Sequence, residues 1–100
     1  MNYVEAIRRE LAAEVTRLSG GQWDIAETPT LLDSYALLVL TVGVDVTQEH
    51  IHDAWSLWSN SIGPEHRYLV PFAELPRAVQ DQDQMGLDAV YMVAARRCRP

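Results

Sequence analysis

The sequence predicts an all-α protein: a small bundle of about four helices, with an extended Leu-Val-Pro-Phe segment and a short helical turn before the last helix. Three observations carry this reading. Apolar residues recur at spacings of three and four through most of the chain, the period of a helix with one buried face. Glycines and prolines punctuate those segments at 20–21, 43 and 63–64, where helices stop. The one apolar run without the helical period contains Pro71 and is followed by Pro76, which forbids a regular central strand. One hundred residues suffice for a single domain, read as 1–100 with a helical pair over 1–44 and a second unit over 45–97.

Each element has its own signature. Val4, Ile7, Leu11, Val15 and Leu18 form one stripe on a helix from about Asn2 to Ser19, stopped by Gly20-Gly21. In the loop that follows, Trp23 and Ile25 are expected to plug the end of the core. Thr28 is the expected N-cap and Pro29 the first residue of a second helix that halts at Gly43. Its Ala36–Val42 stretch is apolar on nearly all faces, so this helix is expected to be central and surrounded. Thr47 caps a third helix, about Gln48 to Ser61, with Ile51, Trp55, Trp58 and Ile62 on one stripe beside Ala54. After Gly63-Pro64 come the extended segment and one helical turn around Phe72–Leu75. The last helix should run from near Pro76 to near Arg97. Val79, Gly86, Val90, Val93 and Arg97 make its stripe, flanked by Met85, Ala89 and Met92. Gly86 inside it costs about 1 kcal/mol relative to alanine, so it serves either a close helix crossing or a kink.

Composition narrows the function. The apolar fraction of 48% and the charged fraction of 22% are those of a globular chain. The apolar stretch within Leu31–Val44 is too short to span a bilayer and carries Asp33, so no membrane partner is expected. No basic region precedes an apolar one at the amino terminus, and the single Cys98 cannot form an internal disulfide, so a cytoplasmic setting is expected. A net charge of −6 argues against nucleic acid as a partner. All eight basic residues are arginine, which reads as GC-rich coding. Arg96, Arg97 and Arg99 read as favourable charge at a helix carboxyl end in preference to an anion site.

Catalytic constellations are sparse. His50 and His52, two apart on a helix, point about 200° from each other and cannot share a metal ion. His66 could join one of them only through the fold. His52, Asp53 and Ser56 supply triad residue types on one helix turn, without a nucleophile elbow. Asp81, Asp83 and Asp88 fall near a helix start, where negative charge is favourable anyway. Glu49 and Asp53 are like charges one turn apart, a solvated accident or an acidic contact edge. The expectation is a protein that is not an enzyme, with no cofactor and no metal.

What stands out is the density of rings between His50 and Phe72. Aromatic and imidazole groups of this kind make platforms for flat ligands or hot spots for protein partners. The candidate ligand-binding residues are His52, Trp55, Trp58, His66, Arg67, Tyr68 and Arg77, with the two arginines as phosphate partners. Trp55 is expected to serve the core and Trp58 to face a partner. His52 reads more readily as a core or capping histidine than as a ligand contact, and His66 and Arg67 should lie at the surface. The whole reading requires the third helix and the Leu-Val-Pro-Phe turn to fold back so that these rings converge.

"IHDAWSLWSN" followed by "EHRYLVPFAELPRAVQDQD" resembles the RyR domain, the repeat named after ryanodine receptors. The resemblance rests on Ile51-His52-Asp53, Trp55, His66, Leu69-Val70-Pro71-Phe72, Glu74-Leu75-Pro76 and Asp83, within about Glu49 to Val93. Compact forms also resemble small proteins of actinobacteria and their phages. The resemblance implies a helical, non-catalytic module that recognises a small, nucleotide-derived ligand. The alternative is a protein-interaction module that binds a host protein or self-associates, as a dimer, which the high apolar content and the apolar second helix motivate.

Overall fold

A computed structural model of the chain describes residues 2–97; the expectations placed on Cys98 and Arg99 lie outside the described residues. Five α-helices follow in order: α1 (Tyr3–Leu18), α2 (Pro29–Thr41), α3 (Gln48–Ile62), α4 (Arg77–Asp81) and α5 (Gln84–Arg97). Single 3-10 turns stand at Ile25–Glu27, Gly43–Asp45 and Phe72–Glu74. No strand occurs among the described residues. The architecture is therefore all-α, with four helices of 13 residues or more and one short one.

The local causes of each helix are visible at its ends. The Asn2 side chain accepts from the Glu5 amide at 2.9 Å and starts α1. Gly20 and Gly21 end it with φ of 65° and 83°, a left-handed turn that residues with a β-carbon rarely take. Pro29 opens α2 at a position where its missing N–H costs nothing. Thr28 precedes it, but its hydroxyl donates to the Ile25 carbonyl at 3.1 Å instead of capping the helix. Gly43, at φ 63°, turns the chain from α2 into the tight turn before α3.

The core joins four helices. Ile7, Leu11 and Val15 of α1 meet Leu31, Leu32, Tyr35, Ala36 and Val39 of α2, Ile51 and Ala54 of α3, and Ala89, Val90, Val93 and Ala94 of α5. Each aliphatic side chain of Val, Leu or Ile size so buried contributes about 1.5–3 kcal/mol relative to exposure. Ile25 and Val46 close the ends, and Trp23 packs against the cluster as expected. α2 touches α1, α3 and α5, the central position its composition predicted. Even so it is not surrounded: Leu37 is 58% exposed and Leu40 is also exposed, because three neighbours leave one face of the helix open.

Three further expectations change. The last helix is two, broken at Gln82–Asp83 and not at Gly86. Gly86 is there for proximity: a β-carbon on it would lie 2.9 Å from Ile51 Cγ2 and 3.4 Å from the Tyr35 hydroxyl. Second, the buried side of α3 is rotated from the expected stripe. Ile62 is 69% exposed, whereas His52 and Ser59 are buried, so the helix turns the 52–55–59 ridge inward beside 51–54–58. Third, Met92 on α5 is exposed.

One buried charge is fully engaged. Glu14 of α1, 6% exposed, accepts from Arg17 at 2.6 and 3.0 Å and pairs with Arg96 of α5. Hydrogen bonding from Arg96, with help from Arg17, outweighs burial and holds the Glu14 carboxyl below its ordinary range. Arg96 also reaches Glu10 at 3.5 Å, and the Arg97 guanidinium lies 5.9 Å from the Tyr3 ring. These two arginines tie the end of α5 to α1.

Candidate functional site

α3 and the chain that follows it build the candidate site. α3 starts with a reciprocal cap: the Thr47 hydroxyl accepts from the His50 amide at 3.2 Å, and His50 Nδ1 accepts from the Thr47 amide at 3.0 Å. His50 is thereby spent on the helix end. Half a turn on, His52 is 3% exposed and its Nε2 lies 2.7 Å from the Val70 carbonyl oxygen. A carbonyl only accepts, so Nε2 carries the proton and donates. This bond pulls the extended segment back across α3. Gln80 of α4 then donates to the Phe72 carbonyl at 2.9 Å, fixing the turn against the next helix.

The fold-back brings the rings together. The His52 and Trp55 rings stack with centroids 5.6 Å apart and planes 19° from parallel. Trp55 meets His66 edge-on at 4.9 Å, and His66 lies 5.6 Å from Tyr68. The Tyr68 amide donates to His66 Nδ1 at 3.1 Å, which orients the exposed imidazole. The Arg67 guanidinium sits 4.8 Å from the Tyr68 ring centroid.

These rings wall a cavity of about 490 Å³. Its volume is that of a small-molecule pocket. Six of the seven sequence-predicted residues line it: His52, Trp55, Trp58, His66, Arg67 and Tyr68. Arg77 does not. It stands at the exposed start of α4 and pairs with Asp81 at 3.5 Å, while Val79 is the residue of α4 that lines the cavity. Trp58, expected to face a partner, packs against the core instead, while Trp55 joins α3 to the following segment through its stack on His52 and its contact with His66. Both are half-buried and both line the cavity.

The opposite wall went largely unpredicted. Trp23 and Thr28 come from the loop before α2, Tyr35 from α2, and Gln82, Asp83 and Gly86 from the α4–α5 junction. Tyr35 had a signal: it is the one aromatic in an otherwise aliphatic helix, and a core tyrosine needs somewhere for its hydroxyl. Asp83 was read as ordinary helix-start charge. Its Oδ2 is instead buried with no hydrogen-bond partner. Burial pushes the Asp83 carboxyl up to about 6, while the nearby His52 pulls the other way. Burial and the Asp83 charge together push the Tyr35 phenol up. Such a site offers stacking surfaces, with a carboxyl group and a guanidinium among the residues of its walls.

The description "Domain of unknown function (DUF7701)" matches residues 2–95. The chain belongs to the DUF7701 family. That match spans both halves of the fold and overturns the RyR resemblance, for no RyR domain is found in the chain. The physical reason lies in what the shared residues do. His52 ties down a carbonyl, Pro71 and Pro76 shape a turn, and Leu75 is buried, so the motif is a local folding device that a helix–turn–helix junction can reach independently. Neither curated proteins nor solved structures give a match to this DUF7701 chain. No helix among the described residues is long and apolar enough to cross a membrane.

Proposed function

We propose that this protein is a non-enzymatic, cytoplasmic binding module that holds a small flat ligand in the cavity between α3, the 66–68 loop and the α4–α5 junction. The observation that carries this reading is the enclosure of about 490 Å³ by aromatic rings from both halves of the chain. A flat ring placed there gains stacking area from Trp55 and its neighbours, at little conformational cost to side chains already packed. A nucleotide-derived ligand fits this arrangement with its base among the rings and its phosphate toward Arg67, the single arginine lining the cavity. Titration calorimetry against a panel of nucleosides, nucleotides and cyclic nucleotides tests the reading. Saturable heat for at least one of them, lost on Trp55→Ala, supports it; a flat response across the panel removes the nucleotide form of the proposal.

A second reading has its own observation. Leu37 and Leu40 on α2 and Val44 just beyond are exposed large apolar side chains, and Leu57 on α3 is 73% exposed. Exposed aliphatic groups of this kind suit a protein partner or a second copy of the chain. Solution mass by light scattering tests self-association: a dimer that Leu37→Glu dissociates supports it, and a monomer at all concentrations counts against it.

A further inference from the structure

The following rests on the ring-walled cavity being a binding site. We infer that its ligand is a flat ring carrying a small oxyanion, a carboxylate or a phosphate, and that it binds with the ring inward and the oxyanion at the mouth, on His66 and Arg67 together.

The lining sorts by depth. Leu31, Tyr35 and Gly86 are buried and form the inner end, whereas His66 and Arg67 are exposed and stand where the cavity opens to water. Trp55, Trp58 and Tyr68 lie between them, half-buried. The inner end therefore takes the apolar part of a molecule and leaves its charged part at the rim, where contact with solvent keeps the cost of a charge low.

Arg67 is placed to hold that charge. Its guanidinium lies over the Tyr68 ring, 4.8 Å from the centroid. That contact uses the flat face of the group and leaves the N–H edges, which point outward in its plane, for a bidentate partner. Among the described residues no carboxylate pairs with Arg67, although Arg8, Arg17, Arg77 and Arg96 each pair with at least one. A carboxylate or phosphate on a ligand supplies the geometry those edges match.

His66 adds a second donor. Its Nδ1 accepts from the Tyr68 amide at 3.1 Å, so the ring proton sits on Nε2, which has no partner among the described residues. The edge contact with Trp55 at 4.9 Å holds the imidazole in place. The Tyr68 ring serves both groups: the His66 ring lies 5.6 Å from it and the Arg67 guanidinium 4.8 Å. Donors fixed before a ligand arrives cost little to order on binding. A net charge of −6 disfavours anions over most of the molecule, so a preference for one here is local to this loop.

The test titrates the full chain with phenyl phosphate, benzoate and benzyl alcohol, followed by two-dimensional amide NMR. At least one of the two anions should bind about tenfold more tightly than the alcohol, the size of one charge-assisted hydrogen bond. Its shifts should gather at Trp55 and across His66–Tyr68, and the tighter anion identifies the oxyanion as phosphate or carboxylate. Arg67→Gln should bring that preference below about threefold and leave benzyl alcohol binding as before. His66→Phe should weaken the anion alone, and His66→Gln, which keeps an N–H donor, should restore it. Equal binding of the three probes, or tighter binding of the alcohol, overturns the oxyanion inference and leaves the cavity as a site for flat rings. Anion shifts confined to residues outside the cavity lining overturn it too. If none of the three binds the native chain, both the inference and the cavity reading fall. The comparison among probes on the unmodified protein stands even if a variant does not fold.

Discussion

His52 donates from Nε2 to the Val70 carbonyl at 2.7 Å, a bond between residues 18 apart in sequence that closes the candidate site. Without it the 66–72 segment is held to α3 by ring contacts alone, such as that of His66 with Trp55. His52→Ala should therefore act on the segment more than on the bundle. We expect a loss of about 1–3 kcal/mol, from the lost bond and the Trp55 stack together. Hydrogen exchange should rise around Val70 while α1 and α5 stay protected. Uniform exchange across the chain would contradict this division.

Gly86 offers a sharper sign test. Alanine is the better helix former by about 1 kcal/mol, so propensity alone predicts that Gly86→Ala stabilises α5. The 2.9 Å approach to Ile51 Cγ2 and the 3.4 Å approach to the Tyr35 hydroxyl predict the opposite. Overpacking of this kind costs about 1–3 kcal/mol, and chemical denaturation should show a net loss. A gain in stability would mean that α5 moves away from α3 without strain.

Glu14 makes stability depend on acid. Its carboxyl titrates below the ordinary value of 4.5 in the folded state, so its contribution is present above that value. The contribution disappears as pH falls through the folded pKa. Glu14→Gln should flatten that acid limb and cost about 1–2 kcal/mol at pH 7, since the partner Arg17 and Arg96 side chains are more than one-third exposed and can rehydrate. Urea melts from pH 2.5 to 7 measure both effects.

Asp83 works with the opposite sign. Its folded value of about 6 lies above the unfolded 3.8, so ionising it in the folded chain costs stability as pH rises from 4 to 7. The groups lining the same cavity are Tyr35 of α2, His52 of α3, and His66, Arg67 and Tyr68 of the loop. The comparison is therefore with Asp83→Asn at each pH and not with pH alone. The variant should be more stable than the native chain by about 1 kcal/mol at pH 7 and no more stable at pH 4. A destabilised variant at pH 7 would mean that the carboxylate is holding the α4–α5 junction.

Much of this fold was written in local patterns. The 4–7–11–15–18 stripe, the Pro29 start, the Thr47 cap and the Gly63-Pro64 stop each specify their element within a few residues, and each occurs as expected. Where the sequence misled, the deciding contact was remote. The rotation of α3 follows from His52 reaching Val70, and the α4–α5 break follows from a junction that no helical period marks. The site divided in the same way. One wall is nearly contiguous, from His52 to Tyr68, and ring density alone revealed it. The other wall draws on residues 23, 28, 31, 35, 79, 82, 83 and 86, which only tertiary packing, including that of α2 against α5, brings to one place. Arg77 was misplaced too: at the exposed start of α4 it pairs with Asp81, and of that helix Val79 reaches the cavity instead.

The central claim is that the ring-walled cavity is where this protein binds a ligand, and titration with nucleosides and with simple one-ring aromatics followed by amide NMR tests it most directly. Saturable shifts gathered at His52, Trp55, Tyr68, Asp83 and Gly86 are the predicted result. Shifts absent at millimolar probe, or confined to the open faces around Leu37 and Leu57, would contradict it.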